Sequence, residues 1–130
     1  MIYRNIAPSP EVHEYVRDYL IAHFVFENNQ PIPIKAFAPR PEQAITFLPI
    51  GYLTMHNLLD QKTEIAPPVS ICGQQLCRYN FHLTREYLMF RINFHPGVLY
   101  RLLRIPLSEF VNSCRIFIYH CKAAATEYWD

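Results

Sequence analysis

The segment 78–95 sets the class of fold. Tyr79, Phe81 and Leu83 alternate with Arg78, Asn80 and His82, and Leu88, Phe90, Ile92 and Phe94 alternate with Met89, Arg91, Asn93 and His95. A period of two sends successive side chains to opposite faces of a strand, whereas a helix would scatter both sets around its circumference. Two such strands in succession commit this part of the chain to a β-sheet. Earlier segments agree. Residues 19–27 are aromatic and β-branched and read as a strand buried on both faces; 32–37, opening on prolines, read as an edge strand. Residues 43–48, closed by Pro49, and then 51–59 and 69–73 read as further strands, with turns at 28–31 and 60–63. About eight short strands separated by turns predict an all-β sandwich or barrel.

Two helical segments frame the strands. Ser9 suits an N-cap, Pro10 the first helical position and Glu11 the positive end of the helix, which predicts a helix from there to Val16. Beyond Pro96-Gly97 the period changes. Val98, Leu99, Leu102 and Leu103 follow helical spacing, with Arg101 and Arg104 on the other side and Ile105-Pro106 ending the run. Residues 107–111 read as a second helical turn. In the segment 115–130, Ile116, Ile118 and Tyr119 suit a strand and the alanines between Lys122 and Glu127 suit a helix.

Composition bounds the rest. The 130 residues make one domain, expected over 1–113, with 114–130 as a tail that forms no domain of its own. Eleven prolines against three glycines suit short elements joined by stiff corners and argue against a glycine-rich phosphate loop. A net charge of +1 predicts neither nucleic-acid wrapping nor an acidic tail. The sequence has no apolar run long enough for a membrane span and no leader pattern, so no membrane partner and a cytoplasmic location are expected. Cys72, Cys77, Cys114 and Cys121 are then expected as thiols.

The order of the signals has a familiar counterpart. The opening Pro8-Ser9-Pro10-Glu11, followed by Tyr15-Val16-Arg17, leads into an aromatic strand. The close runs Phe90-Arg91-Ile92-Asn93-Phe94-His95-Pro96-Gly97, then Tyr100-Arg101-Leu102-Leu103, then Ile105-Pro106-Leu107-Ser108-Glu109-Phe110. This resembles the N-terminal sensor domain of AraC-type transcriptional regulators, over roughly residues 2–113. The resemblance implies a mostly β, cupin-like antiparallel barrel or sandwich with short helices near its ends. It implies a domain that senses a small organic effector, dimerises, or does both, ahead of a DNA-binding unit of two helix-turn-helix motifs. Nothing after Phe110 offers those motifs, so DNA binding is not carried over to this chain.

Catalytic constellations are sparse. A cupin metal site needs a His-x-His pair, a downstream Glu and a later His, and no two of His13, His23, His56, His82, His95 and His120 are two apart. The spacings of Cys72 with Cys77 and of Cys114 with Cys121 are wide for a zinc knuckle, so buried thiols are the plainer reading. No nucleophile elbow or phosphate-binding lysine loop is present. No metal, no cofactor and no enzymatic activity are therefore expected. Charge is uneven: residues 1–77 hold five basic and seven acidic groups, whereas 78–115 hold six arginines and two glutamates. That arginine excess is either a solvated face or a means of meeting DNA phosphates, an acidic ligand or an acidic partner surface, and arginine favours bidentate contacts to carboxylates or carbohydrates.

A barrel of this size can hold one small ligand. The candidate ligand-binding residues are His56, Tyr79, His82, Arg91 and Asn93. His82, Arg91 and Asn93 lie opposite the apolar rows, on faces that point either into a pocket or to solvent. Phe24, Phe26, Phe81, Phe90 and Phe94 read as core. Leu99, Leu102, Leu103 and Phe110 are the candidate relay, since they follow the last strand and lead towards the position of a DNA-binding half. The leading expectation is a regulatory domain that binds a small organic effector, possible as a homodimer, with a cupin-type enzyme or a pure interaction module as the alternatives.

Overall fold

A computed structural model describes residues 1–37, 43–72 and 78–104. Over these residues the chain forms nine strands and one helix: β1 (Ile2–Ile6), β2 (Val16–Val25), β3 (Lys35–Phe37), β4 (Gln43–Ile50), β5 (Leu53–Asn57), β6 (Thr63–Ile65), β7 (Val69–Cys72), β8 (Tyr79–Leu83), β9 (Glu86–Phe94) and α1 (Val98–Leu103). The five-stranded sheet has the order β1-β2-β9-β4-β7, and the four-stranded sheet the order β3-β8-β5-β6. Every pairing is antiparallel. The mostly β architecture is as expected, but the sheets stay open. Among the described residues, β1 and β7 edge one sheet and β3 and β6 the other, with no ladder joining them into a barrel.

The chain changes sheet several times, and two of these passages, β4–β5 and β8–β9, touch. The Tyr52 amide donates to the Thr84 hydroxyl at 3.3 Å, and that hydroxyl donates to the Glu86 carbonyl at 2.7 Å. Gly51 turns there with φ of 79°, and a Cβ would collide with the Glu86 carbonyl and the Thr84 hydroxyl. Glycine meets both demands, the left-handed backbone and the close approach.

Two apolar clusters hold the layers. One lies between the sheets and includes Leu20, Ala22, Leu48, Leu53, Met55, Tyr87 and Met89. The other lies on the back of the five-stranded sheet, where Val98 and Leu99 of α1 pack against Val16, Ile71 and Phe94. Leu99 and Ile71 are fully buried. Gly97, at φ of 83°, turns the chain out of β9 into α1.

The structure corrects the sequence reading at several places. Residues 10–15 form successive turns rather than a helix, closed by Val12 N–H to Ser9 C=O at 3.1 Å and Tyr15 N–H to Val12 C=O at 2.9 Å. The caps are suitable, but so short a segment barely repays helix nucleation, and Val16 is already drawn into β2. Pro49 does not end β4; the pairing with β9 slips between Phe47 and Ile50, an irregularity that accommodates a residue without an amide donor. β1 and the three-residue β6 form strands that the sequence pattern does not mark. The helical turn expected at 107–111 and the ambiguous segment 115–130 lie outside the described residues.

Candidate ligand-binding site

β9 is the central strand of its sheet, paired with β2 on one side and β4 on the other. Its two rows of side chains therefore meet different surroundings. The all-apolar row faces outwards: Phe90 packs on Tyr19 and Phe47, with ring centroids 5.8 and 6.1 Å away, and Ile92 packs into the cluster beneath α1. Phe90, expected in the core, thus belongs to the outer face. The mixed row, Tyr87, Met89 and Arg91, faces the other sheet.

There it helps to enclose a cavity of about 80 Å³. This is room for on the order of six water molecules, or a small organic molecule. Leu20, Leu48, Leu53, Met55, Phe81 and Met89 form most of its apolar wall. Phe24 and Phe81, read from sequence as core, are therefore part of the lining. Its polar wall comes from β4, β7 and β9, as Thr46, Ser70, Cys72 and Arg91. Arg91 Nε donates to Thr46 Oγ1 at 3.3 Å, and Cys72 Sγ lies 3.7 Å from that hydroxyl and 3.9 Å from Ser70 Oγ. The Tyr87 phenol also lines the space; burial pushes its pKa up to about 12, opposed by Arg91 and reinforced by Cys72, so it stays a neutral donor. Lys35 stands at another part of the wall, its Nζ 5.3 Å from the centre of the Tyr3 ring.

The five residues singled out from the sequence do not form one group. Arg91 lines the cavity. Asn93 follows it on the same row and is buried, with Nδ2 donating to Asp18 Oδ1 at 2.6 Å, while its Oδ1 accepts no hydrogen bond among the described residues. Tyr79 lies level with Asn57 and packs against the inter-sheet cluster beside Phe81, at 6.3 Å between centroids. His56 and His82 share the opposite face of the four-stranded sheet with Thr54 and Asn80, because residues level in register point the same way. There His56 is bonded to Thr63 at 2.8 Å and Gln61 at 3.1 Å, and His82 is exposed. Of the relay candidates, Leu99 is buried and Leu103 half-buried under the sheet, Leu102 is 57% exposed, and Phe110 lies outside the described residues. Lys35, Thr46, Ser70, Cys72 and Tyr87 escape the sequence reading. Tyr87 alone carries a signal, since it shares the two-residue period of Met89 and Arg91.

Comparison with known proteins bears on the fold. No curated protein sequence matches the chain. Solved structures similar to it include cobalt(II) HppE in complex with Tris buffer, with a TM-score of 0.50, 13% identity, and coverage of 72% of this chain and 52% of that one. Iron(II) HppE in complex with substrate is similar at a TM-score of 0.48 and 12% identity, covering 72% of this chain and 53% of that one. The chain thus spans about half the length of these structures. At such identity the likeness speaks to the fold alone, which is cupin-like.

The cobalt(II) structure holds a metal ion, but the described residues of this chain do not suit one. The cavity wall offers the Cys72 thiol and no imidazole or carboxylate, and no three His, Cys, Asp or Glu side chains converge among the described residues. Nor is any helix among them long and apolar enough to cross a membrane. Residues 4–115 match the domain of unknown function DUF6597, and the chain therefore belongs to that family.

Proposed function

We propose that this chain is the ligand-sensing domain of an AraC-type transcriptional regulator, which binds a small organic effector between its two sheets and catalyses no reaction on it. The observation that carries the reading is the cavity: an apolar chamber with a few polar groups on one wall, the usual make-up of a small-molecule site. The AraC-type character rests on the opening and closing motifs of the sequence. Dimerisation belongs to the same reading, and sedimentation of the chain tests it. DNA binding is not assigned to these residues.

The strand geometry supplies a route for the signal. Ser70 and Cys72 line the cavity, and Ile71 between them is fully buried in the cluster that seats α1. Arg91 and Ile92 repeat the arrangement on β9. A ligand that draws the inner side chains of β7 and β9 inwards also moves the surface on which Leu99 rests. Occupancy biases α1 only if the ligand binds two arrangements of that surface with different affinity. The test is a thermal-shift screen with sugars, organic acids and aromatic metabolites, because a ligand of the folded state must raise the melting temperature. The reading expects hits confined to molecules small enough for the cavity; a screen without hits contradicts it. The enzyme alternative makes a separate prediction, transition metal retained through purification without chelators.

A further inference from the structure

We infer that the ligand of this cavity is a small monocarboxylate with an apolar body, its carboxylate held by the guanidinium of Arg91 and its body among Leu48, Met55, Phe81 and Met89. The inference rests on the ligand-sensing reading and adds the chemical class of the ligand.

The charge of the wall is the first argument. Among the described residues the cavity lining includes two cations, Arg91 and Lys35, and no carboxylate. A pocket with that lining favours an anion and disfavours a cation. The state of Arg91 is the second. Its Nε is engaged by Thr46, which steadies the plane of the guanidinium, and no ion-pair partner for it is found among the described residues. A guanidinium on the inner face of a sheet loses part of its hydration, and a carboxylate entering the cavity restores the loss by pairing with the two terminal nitrogens. Arginine presents those nitrogens as a planar fork that matches a carboxylate, which a lysine cannot reproduce.

The remaining wall fixes the other end of the molecule. Beyond the polar patch formed by Thr46, Ser70 and Cys72, most of the lining is aliphatic and aromatic. A bare inorganic anion would leave that surface unfilled. The volume of about 80 Å³ limits the ligand to on the order of ten non-hydrogen atoms.

The experiment compares benzoate with benzamide, and butyrate with butyramide, against the whole chain by calorimetric titration, with inorganic phosphate as the bare anion. Each acid and its amide have nearly the same shape, so the comparison needs no variant. Each acid is expected to bind about tenfold or more tightly than its amide, with no binding of phosphate. Arg91→Gln is expected to bring the acids down to the level of the amides, and Arg91→Lys to leave them between the two. Amides that bind as well as the acids, or phosphate that binds as well as benzoate, overturn the inference while leaving the ligand-sensing reading in place. If neither acid binds but neutral molecules raise the melting temperature, the carboxylate assignment alone falls. Absence of binding by every compound, here and in the wider screen, removes both.

Discussion

The inner and outer faces of the five-stranded sheet are built from the same strands and bury different things. On the outside, Ile45, Ile71 and Ile92 come together with Val98 and Leu99 of α1 in an all-apolar cluster. On the inside, the neighbouring residues Thr46, Ser70, Cys72 and Arg91 face a cavity across from apolar side chains. One strand thus carries an apolar row that fixes the helix and a mixed row that lines the cavity, one residue out of step. The difference teaches that both faces of this sheet bury apolar side chains, but only the inner one interrupts them with a patch of polar groups facing open space.

Truncating the outer face should have the largest effect. Leu99→Ala empties a fully buried position under α1 and is expected to cost about 3 kcal/mol, lowering Tm by roughly 10 °C. The chamber itself should persist and still bind ligand well below the lowered Tm, and any moderate shift in affinity reads the coupling through β7 and β9 to α1. A variant that loses affinity in proportion to stability would break the distinction.

Tyr87→Phe probes the inner face through pH. The raised pKa means that the folded state holds the phenolic proton more tightly than the unfolded state does. The contribution is fully present below pH 10 and is lost as pH rises towards 12, by about 2–3 kcal/mol in all. Chemical denaturation across that interval should show the wild type falling more steeply than Tyr87→Phe by this amount. Parallel curves would mean that Tyr87 is not held in a dry environment.

Gly51→Ala acts at the joint between the sheets. Its positive φ and the collision of a new Cβ with the Glu86 carbonyl predict a loss of about 2 kcal/mol. Near-neutral stability in denaturant would show that the two passages do not touch as described. The smallest effect is expected from Thr46→Val, which removes the acceptor of Arg91 Nε at nearly constant shape and should cost about 1 kcal/mol. Its value lies in the contrast with Leu99→Ala: little loss of stability, but weaker binding of a ligand held by Arg91.

The strands of this fold are largely legible in the sequence, and the interior is not. Alternation along 86–94 marks β9 at once, yet it cannot say which row is inside, because a central strand covered by a helix on one side buries both. The polar groups that share the cavity wall with Arg91 come from β4 and β7, and the pairing of β9 with β4 and of β4 with β7 is a long-range property that no local pattern encodes. His56 and His82 suit a polar pocket by residue type, but pairing of β5 with β8 places them with Thr54 and Asn80 on the face away from the cavity. β1 is hard to read for the opposite reason. All five of its residues are exposed and it pairs with one neighbour, so burial imposes no alternation on its sequence. α1, by contrast, is legible in its bounds, and three of its four apolar positions, Val98, Leu99 and Leu103, answer to the sheet beneath it.

The central claim, that a small molecule occupies the space between the sheets, has a direct reporter. The chain has three methionines; Met55 and Met89 line the cavity, and Met1 is exposed at the end of the chain. With 13C-labelled methionine methyl groups, titration with a mixture of small organic acids, sugars and aromatic metabolites should shift the Met55 and Met89 resonances and leave Met1 in place. Methyl signals of Met55 and Met89 that stay fixed throughout, or a response confined to Met1, would contradict the account.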